Sequence, residues 1–552
     1  MSKMSRSSVF NRVGKLRPKR NPFDLSYRTN FTCNIGELIP VQFDEVVPGD
    51  YLRIGAQVTI RFQPLAAPIM HELSATVHTF FVPYRLLDEN WEDFIVGKIT
   101  ENPAGVLPRF SPDLDASKLS FTLWDYFGMP MLETAVSNTS LFAPISYPWY
   151  AYNMIYNEFF RDQNLEEAEV PLGSNAVHRR AWKKDYFTAA LPWQQRGIPP
   201  ALPVNIDFGW NNYPPIDGRP PIIPVSLVNN LGEQSIMQVT NTQSGGAALS
   251  GNTSITGDSG MAFPGGTQFG IVTNAAGAVI AGAPDPYGLT AEASTFDISQ
   301  LRLATQIQKW MERNARGGIR YTEFLDSHFG YAPSDARLQR PEYIGGMRMP
   351  IIVSEVLQTS QTTVGQGGSP LGDYAGHGLS ADGSFIGKYQ VREYGIVMSI
   401  LSVMPKPSYQ QGINRQWLRE VPTDFYFPEF AHLSEQGIYM AELYASRAAN
   451  FDNREIFGFI GQYDEMRTKH DIVAGEMRVN VPGGQTLSYW NMSRYFQNKP
   501  LLNNSFIKVD DSTTNRPFAV SGVRQLICNV RNSISALRPL PLIAEPGLMD
   551  HF

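Results

Sequence analysis

A segment near the middle of the chain holds residue types that could perform catalysis. Residues 328–346 read HFGYAPSDARLQRPEYIGG. The candidate side chains are His328, Asp335, Arg337, Arg340 and Glu342. The Pro, Asp and Gly residues between them are typical of a loop, and loops often display catalytic residues. The segment is therefore either an active site or a structural loop whose charges form strong hydrogen bonds.

Two other segments combine positive charge with aromatic rings. Single-stranded nucleic acids bind such surfaces, because phosphates attract cations and bases stack on rings. In the N-terminal arm the basic residues are Lys3, Arg6, Arg12, Lys15, Arg17, Lys19 and Arg20, and no acid accompanies them. In HRRAWKKDYF, residues 178–187, they are Arg179, Arg180, Lys183 and Lys184. The alternatives are a solubilising tail for the arm and an amphipathic helix for residues 178–187.

Motifs that suggest a cofactor or a nucleophile have unsuitable surroundings. GDSG at residues 257–260 resembles a protease nucleophile, but it lies in a stretch that cannot form a packed core. GSFIGKY at residues 383–389 is one residue too short for a phosphate-binding loop. Cys33 and Cys528 lie near opposite ends of the chain, which argues against a disulfide framework or a zinc site. We expect no catalytic residue, no cofactor and no metal.

The composition favours a mainly β fold. The chain has 552 residues, 40 of them Pro and 46 Gly, and 12% are aromatic, which fits many short strands joined by turns. Residues 51–62 alternate apolar and polar, as a half-buried strand does, whereas residues 396–401 are apolar on both faces. Helical periodicity is clearest over residues 297–317. A β-sandwich carbohydrate-active enzyme with two carboxylates is thus one possible function.

Two segments are too poor in large apolar side chains to form a core. Residues 220–295 are rich in Gly, Ser and Thr and should project as a surface protrusion. Residues 360–388 should form a second Gly-rich surface loop. We therefore divide the chain into a basic arm with an extended segment, residues 1–50, and a body with insertions, residues 51–552. Without a long apolar run or a secretory signal, we expect synthesis in a cytoplasm and no membrane insertion.

Several segments together resemble the major capsid proteins of microviruses, in particular the gokushovirus branch. Beside HFGYAPSDARLQRPEYIGG, they are VPYRLLDENWEDFI, YNEFFRDQNL, KKDYFTAALPWQQRG, FYFPEFAHLSEQGIY and RNSISALRPLPLIAEPG. They occur in family order from about residue 20 to the C-terminus. The chain departs from the family pattern at residues 460–463, where relatives carry a Gln-Glu pair and a Trp.

The resemblance implies a viral jelly roll, eight antiparallel strands in two sheets, with long loop insertions that contain helices. It also implies a T=1 icosahedral bacteriophage shell around circular single-stranded DNA. Residues 220–295 would cluster at the three-fold axes and contact a host cell-surface receptor. Further partners would be other copies of the chain, a small basic DNA-packaging protein and other virion proteins, with assembly in the host cytoplasm. In such a shell, the charges of residues 328–346 would lock a loop and a subunit boundary.

Overall fold

A computed structural model describes most of the chain. The described residues are 18–97, 107–111, 118–131, 143–166, 168–200, 227–228, 234–235, 298–318, 320–330, 333–351, 353–357, 374–431, 433–520 and 522–543. The chain divides into two compact units, one formed by Met1–Ile198 with Lys309–Phe552 and the other by Pro199–Gln308. The candidates Lys3, Arg6, Arg12, Lys15 and Arg17, the GDSG motif and nearly all of residues 220–295 lie outside the described residues.

The larger unit is built mainly from strands. In chain order the strands are β1 (Asn21–Asp24), β2 (Tyr27–Cys33), β3 (Ile39–Val46), β4 (Tyr51–Phe62), β5 (Leu73–Pro83), β6 (Leu227–Val228), β7 (Gln234–Ser235), β8 (Glu342–Ile351), β9 (Val353–Leu357), β10 (Tyr374–Gln390), β11 (Gly395–Pro405), β12 (Ser408–Tyr409), β13 (Glu435–Tyr439), β14 (Ile456–Gly461), β15 (Asp471–Ile472) and β16 (Leu526–Arg538). Of these, β6 and β7 belong to the smaller unit.

The helices are short, with one exception. They are α1 (Tyr84–Leu87), α2 (Trp91–Ile95), α3 (Leu123–Tyr126), α4 (Tyr147–Ile155), α5 (Ile298–Gly317), α6 (Tyr321–Phe329), α7 (Met440–Leu443), α8 (Asp464–Arg467), α9 (Asn504–Ile507) and α10 (Asp511–Thr514). A π-helical turn, Tyr156–Phe160, continues α4. The helix predicted over residues 297–317 is thus confirmed as α5.

Two antiparallel sheets form the body. Sheet I contains β1-β16-β4-β10-β9 with β2 also on β16, and sheet II contains β3-β11-β5-β8. The eight main strands, in chain order, are β2, β3, β4, β5, β8, β10, β11 and β16. If they are numbered 1 to 8 in that order, neighbouring strands are 1-8-3-6 in sheet I and 2-7-4-5 in sheet II. The predicted mainly β, antiparallel fold is confirmed, and this strand order agrees with a jelly roll.

The inner faces of the two sheets share one apolar core. Leu52, Ile54 and Val58 of β4 pack in the same cluster as Val397 of β11 and Met349 of β8. Along β4 every second position is buried and the positions between are exposed or half-buried, as its sequence predicts. Because both sheets contribute to one buried cluster, they form a sandwich.

The outer face of sheet II is covered by a second apolar layer. Helices α1, α3 and α4 supply aromatic side chains, including Trp124 and Trp149, that pack on Phe80 of β5 and on Met398 of β11. Every residue of β11 is therefore buried, which explains why its sequence is apolar on both faces. We call these helices and the turn after α4 the covering layer.

Two local predictions need correction, and the reasoning behind a third changes. Residues 374–388, assigned to a Gly-rich loop, form most of β10, whose backbone pairs with β9 over Tyr374–Gly378 and with β4 from Leu379 onward. Residues 178–187 are not helical: single bridges from Arg179 to Glu37 and from Ala181 to Lys508 are followed by a turn that begins at Tyr186. The two cysteines are distant only in sequence, since the pairing of β2 with β16 brings their reduced sulfurs to 3.8 Å.

Candidate DNA interface and subunit contact

The segment that suggested an active site is built around an ion pair. It runs from the end of α6 through a 3-10 turn, Asp335–Leu338, into β8. Arg340 Nη2 lies 2.6 Å from Asp335 Oδ1, and Asp335 Oδ2 accepts the Tyr343 N–H at 3.2 Å. The Arg340 guanidinium also lies over the ring of Phe159, in the turn after α4, at 5.3 Å. This geometry closes the loop and fastens it to the covering layer.

The other candidates in this segment have separate partners. His328 Nε2 contacts Asn314 Oδ1 at 2.6 Å, near the end of α5. Burial raises the pKa of the Glu342 carboxyl, and a hydrogen bond from Tyr389 opposes that rise. Arg337 is exposed, and within the described residues its side chain forms no hydrogen bond or ion pair. The segment therefore does not assemble its candidates into one catalytic constellation.

The basic residues of 178–187 are mostly engaged within the chain. Arg179 donates to Val509 O at 2.9 Å and pairs with Asp511 at 2.6 Å. Arg180 donates to Ser402 Oγ at 2.7 Å and to Thr76, and burial lowers its pKa. Lys184 Nζ binds Asp162 Oδ2 at 2.5 Å, whereas Lys183 is exposed.

The aromatic rings of the same segment cannot stack on bases. Trp182, Tyr186 and Phe187 are buried in the subunit interior. A stacking platform needs exposed ring faces. This geometry argues against the segment as a single-strand binding site and leaves the arm as the stronger candidate. Lys19 and Arg20, the described end of the arm, are exposed and lead directly into β1 at the edge of sheet I.

A surface segment that the sequence motifs do not single out as a site carries several exposed aromatic side chains. Trp417 is 75% exposed, Phe425 51% and Tyr426 50%. The backbone beneath them is fixed, because Tyr463 Oη donates to Phe425 O at 3.2 Å and its ring packs against Tyr426 at 5.1 Å. We call residues 413–433 the aromatic segment. Exposed aromatic clusters with a fixed backbone are typical of protein interfaces.

A glycosidase would need two carboxylates that are free to react, but the two buried carboxylates that line one cavity are paired with arginine. Glu442 accepts from Arg415 at 2.9 Å and from Tyr186, and burial raises its pKa. Glu465 lies 3.7 Å from Arg419 and accepts from Gln436. The cavity that both carboxylates line measures about 10 Å³, which is room for about one water molecule. A sugar does not fit this pair.

Within the described ranges, no three His, Cys, Asp or Glu side chains come together as metal ligands. None of the helices in that part of the chain is both long enough and apolar enough to span a bilayer.

A comparison with protein families decides the assignment. The family described as Capsid protein (F protein) matches residues 12–548. The chain belongs to this family. It is therefore a bacteriophage capsid protein and a component of a virion, and the resemblance to microvirus capsid proteins is confirmed.

Individual relatives agree with the family. The chain is 32% identical to Capsid protein VP1 of Chlamydia phage 1, over 98% of this chain and 97% of that protein. It is 32% identical to Capsid protein VP1 of Bdellovibrio phage phiMH2K, over 90% of each chain. It is 28% identical to Capsid protein VP1 of Spiroplasma virus 4, over 96% of this chain and 95% of that protein. The similarity thus spans nearly the full length of the chain.

Proposed function

We propose that this major capsid protein forms a T=1 icosahedral shell around a circular single-stranded DNA genome, and that its role is structural rather than enzymatic. Membership of the capsid family over nearly the full length carries this proposal. The neutralised carboxylates and their small cavity support a structural role over a glycosidase.

The aromatic segment is the subunit contact that the exposure pattern favours. A monomer that exposes Trp417 to water has apolar area which another copy could bury, and each buried square ångström contributes about 25 cal/mol. The same contact repeats around a closed shell, so a modest energy per contact stabilises the whole particle. Arg337 is a second proposed contact, because it projects from a loop that the Asp335–Arg340 pair holds rigid.

The arm is the proposed first contact with DNA. Its cations follow one another without acids, and Lys19 and Arg20 are exposed where the arm meets sheet I. Residues 220–295 are the proposed receptor-contacting protrusion at the three-fold axes. We further propose assembly in the bacterial cytoplasm, together with a small basic packaging protein and other virion proteins.

Electron microscopy of the purified full-length chain tests the proposed function. We expect uniform isometric particles whose mass corresponds to one chain per icosahedral asymmetric unit. The double variant Trp417→Ser with Phe425→Ser should remain folded but form few particles, because its contact loses apolar area. Met70→Ser, which also removes an exposed apolar side chain (69%), is the matched control. The same particle count applied to Arg337→Ala tests the loop contact.

Two outcomes would contradict the proposal. Discrete small oligomers with glycosidase activity would favour the enzyme. Normal particle yield from the double variant would exclude the aromatic segment as a subunit contact.

A further inference from the structure

The outer face of sheet I carries a set of exposed cations. Its strands place their buried side chains towards the core, so the alternate positions face outward. The exposed basic residues at these positions are Arg28 on β2, Arg53 and Arg61 on β4, Lys388 on β10 and Arg531 on β16. We call this set the basic face.

The strand register concentrates these charges. Arg531 lies directly opposite Arg28 on β2, and Lys388 lies directly opposite Arg53. Directly opposite side chains on an antiparallel pair are about 4.5–5.5 Å apart at Cβ, and like charges there destabilise a sheet. Two such like-charged pairs on one face favour an anionic partner, which would relieve the repulsion.

Acids do not neutralise the basic face within the described residues. None of its cations forms an ion pair there, whereas Arg538 at the end of β16 pairs with Asp50 and Arg348 on β8 lies near Glu72. The acids at its borders are engaged mainly by local hydrogen bonds: Asp24 accepts the Ser26 N–H and has a smaller electrostatic interaction with Arg531, and Asp125 accepts the Phe121 N–H. The positive charge therefore remains available to a partner.

An exposed ring completes the chemistry of a single-strand binding surface. Phe385 of β10 is 50% exposed, and the Arg53 guanidinium lies over its ring at 5.4 Å. Its partner position on β4 is Gly55, so no side chain stands beside the ring on that strand. Cations that bind phosphates, next to a ring that stacks on bases, are the combination that single-stranded DNA recognises.

We propose that the basic face binds single-stranded DNA, as a second contact besides the arm. This inference rests on the proposed function, since it assigns the outer face of sheet I to the genome side of the shell. Lys19 and Arg20, the described end of the arm, lead into β1, which pairs with β16 in the same sheet.

Binding of a fluorescently labelled oligo-dT to the full-length chain tests the proposal. Anisotropy is measured over a range of salt concentrations for Arg28→Gln with Arg531→Gln. The log–log salt slope should become less steep by about 1.4, because each lost phosphate contact removes about 0.7. Arg348→Gln with Arg454→Gln makes the same charge change at exposed positions elsewhere and should leave the slope unchanged.

Phe385→Ser separates stacking from charge. It should weaken binding by about tenfold without changing the salt slope, because stacking involves no counterion release. An unchanged slope in the arginine double variant would overturn the proposal. The proposal would also be overturned if the Arg28→Gln with Arg531→Gln variant bound DNA normally but formed no particles, since the basic face would then be a contact between proteins. If the unmodified chain formed no particles but the double variant still had a reduced slope, the basic face would stand as a DNA-binding surface and the proposed shell would be refuted.

Discussion

The outer face of sheet II is covered by the chain's own helices, whereas the outer face of sheet I carries exposed charges in the described part of the chain. Phe80 and Met398 face the covering layer on sheet II. Arg28 and Arg531 occupy corresponding outward positions on sheet I. The two sheets share one inner core, so the sandwich itself does not require this difference.

The difference indicates which interactions the subunit satisfies alone. The covering layer buries the outward side chains at the centre of sheet II within one chain, and β11 is apolar on both faces because both of its faces are dry. Sheet I keeps like charges opposite each other, which lowers the stability of the isolated subunit. We infer that sheet II serves the fold and that the outward face of sheet I serves a partner.

The largest expected effect is on the covered side. Trp149 is fully buried, stacks on Phe110 at 4.4 Å and donates from Nε1 to Asn175 Oδ1 at 3.0 Å. Trp149→Ala should lower the free energy of unfolding by about 3–5 kcal/mol, chiefly through the cavity that it leaves. The thermal midpoint of the unassembled chain measures this.

Trp417→Ala is the matched control for Trp149→Ala. Trp417 is 75% exposed, so its loss should change the free energy of unfolding by no more than about 0.5 kcal/mol. Equal midpoints for the two variants would show that the covering layer contributes little to stability.

A smaller effect should appear when the pH is lowered. His178 lies between Tyr152 and Tyr156 of the covering layer, and burial lowers its pKa from 6.5 to about 4. The unfolded chain takes up a proton near pH 6.5, but the folded layer does not until about pH 4. Stability is therefore complete above pH 6.5 and declines as the pH falls towards 4, by at most about 3 kcal/mol.

His178→Gln isolates this contribution. The glutamine amide can still donate to Asn153 Oδ1, which His178 Nε2 contacts at 2.8 Å, but it does not titrate. The thermal midpoint of the variant should fall less between pH 6.5 and 4 than that of the unmodified chain. Burial also lowers the pKa of His78 to about 4, so part of the pH dependence of the thermal midpoint should remain in both the variant and the unmodified chain. Parallel midpoint curves would contradict the assignment to His178.

Strand patterns could be predicted from the sequence, whereas contacts between segments that are far apart in the chain could not. The alternation of β4 and the uniformly apolar β11 were both recognised, because each pattern is complete within about a dozen residues. The proximity of Cys33 and Cys528 and the opposition of Arg28 and Arg531 were not. Both depend on the register between β2 and β16, which are far apart in sequence.

The candidate site residues also divide into those whose contacts are local in sequence and those whose contacts are distant. Asp335 and Arg340 are only five residues apart, so their ion pair is a local contact, and the hypothesis of a charge-locked loop followed from the family resemblance of this segment. The burial of Trp182 depends on contacts with Lys508 and Arg494, which no local pattern contains. Charged segments with aromatic residues therefore cannot be divided into core and surface before the tertiary contacts are known.

The smallest effect on the free energy of unfolding should come from a substitution on the outer face of sheet I, where we expect a slight gain in stability rather than a loss. Arg531→Gln removes one member of the Arg28–Arg531 pair, and each exposed charge contributes little to folding. We expect the free energy of unfolding to stay within about 0.5 kcal/mol or to rise slightly, because repulsion between opposite positions is relieved. The urea midpoint at low salt, where charge repulsion is least screened, measures it. A large loss of stability would mean that Arg531 supports the sheet and would weaken the inference that this face awaits a partner.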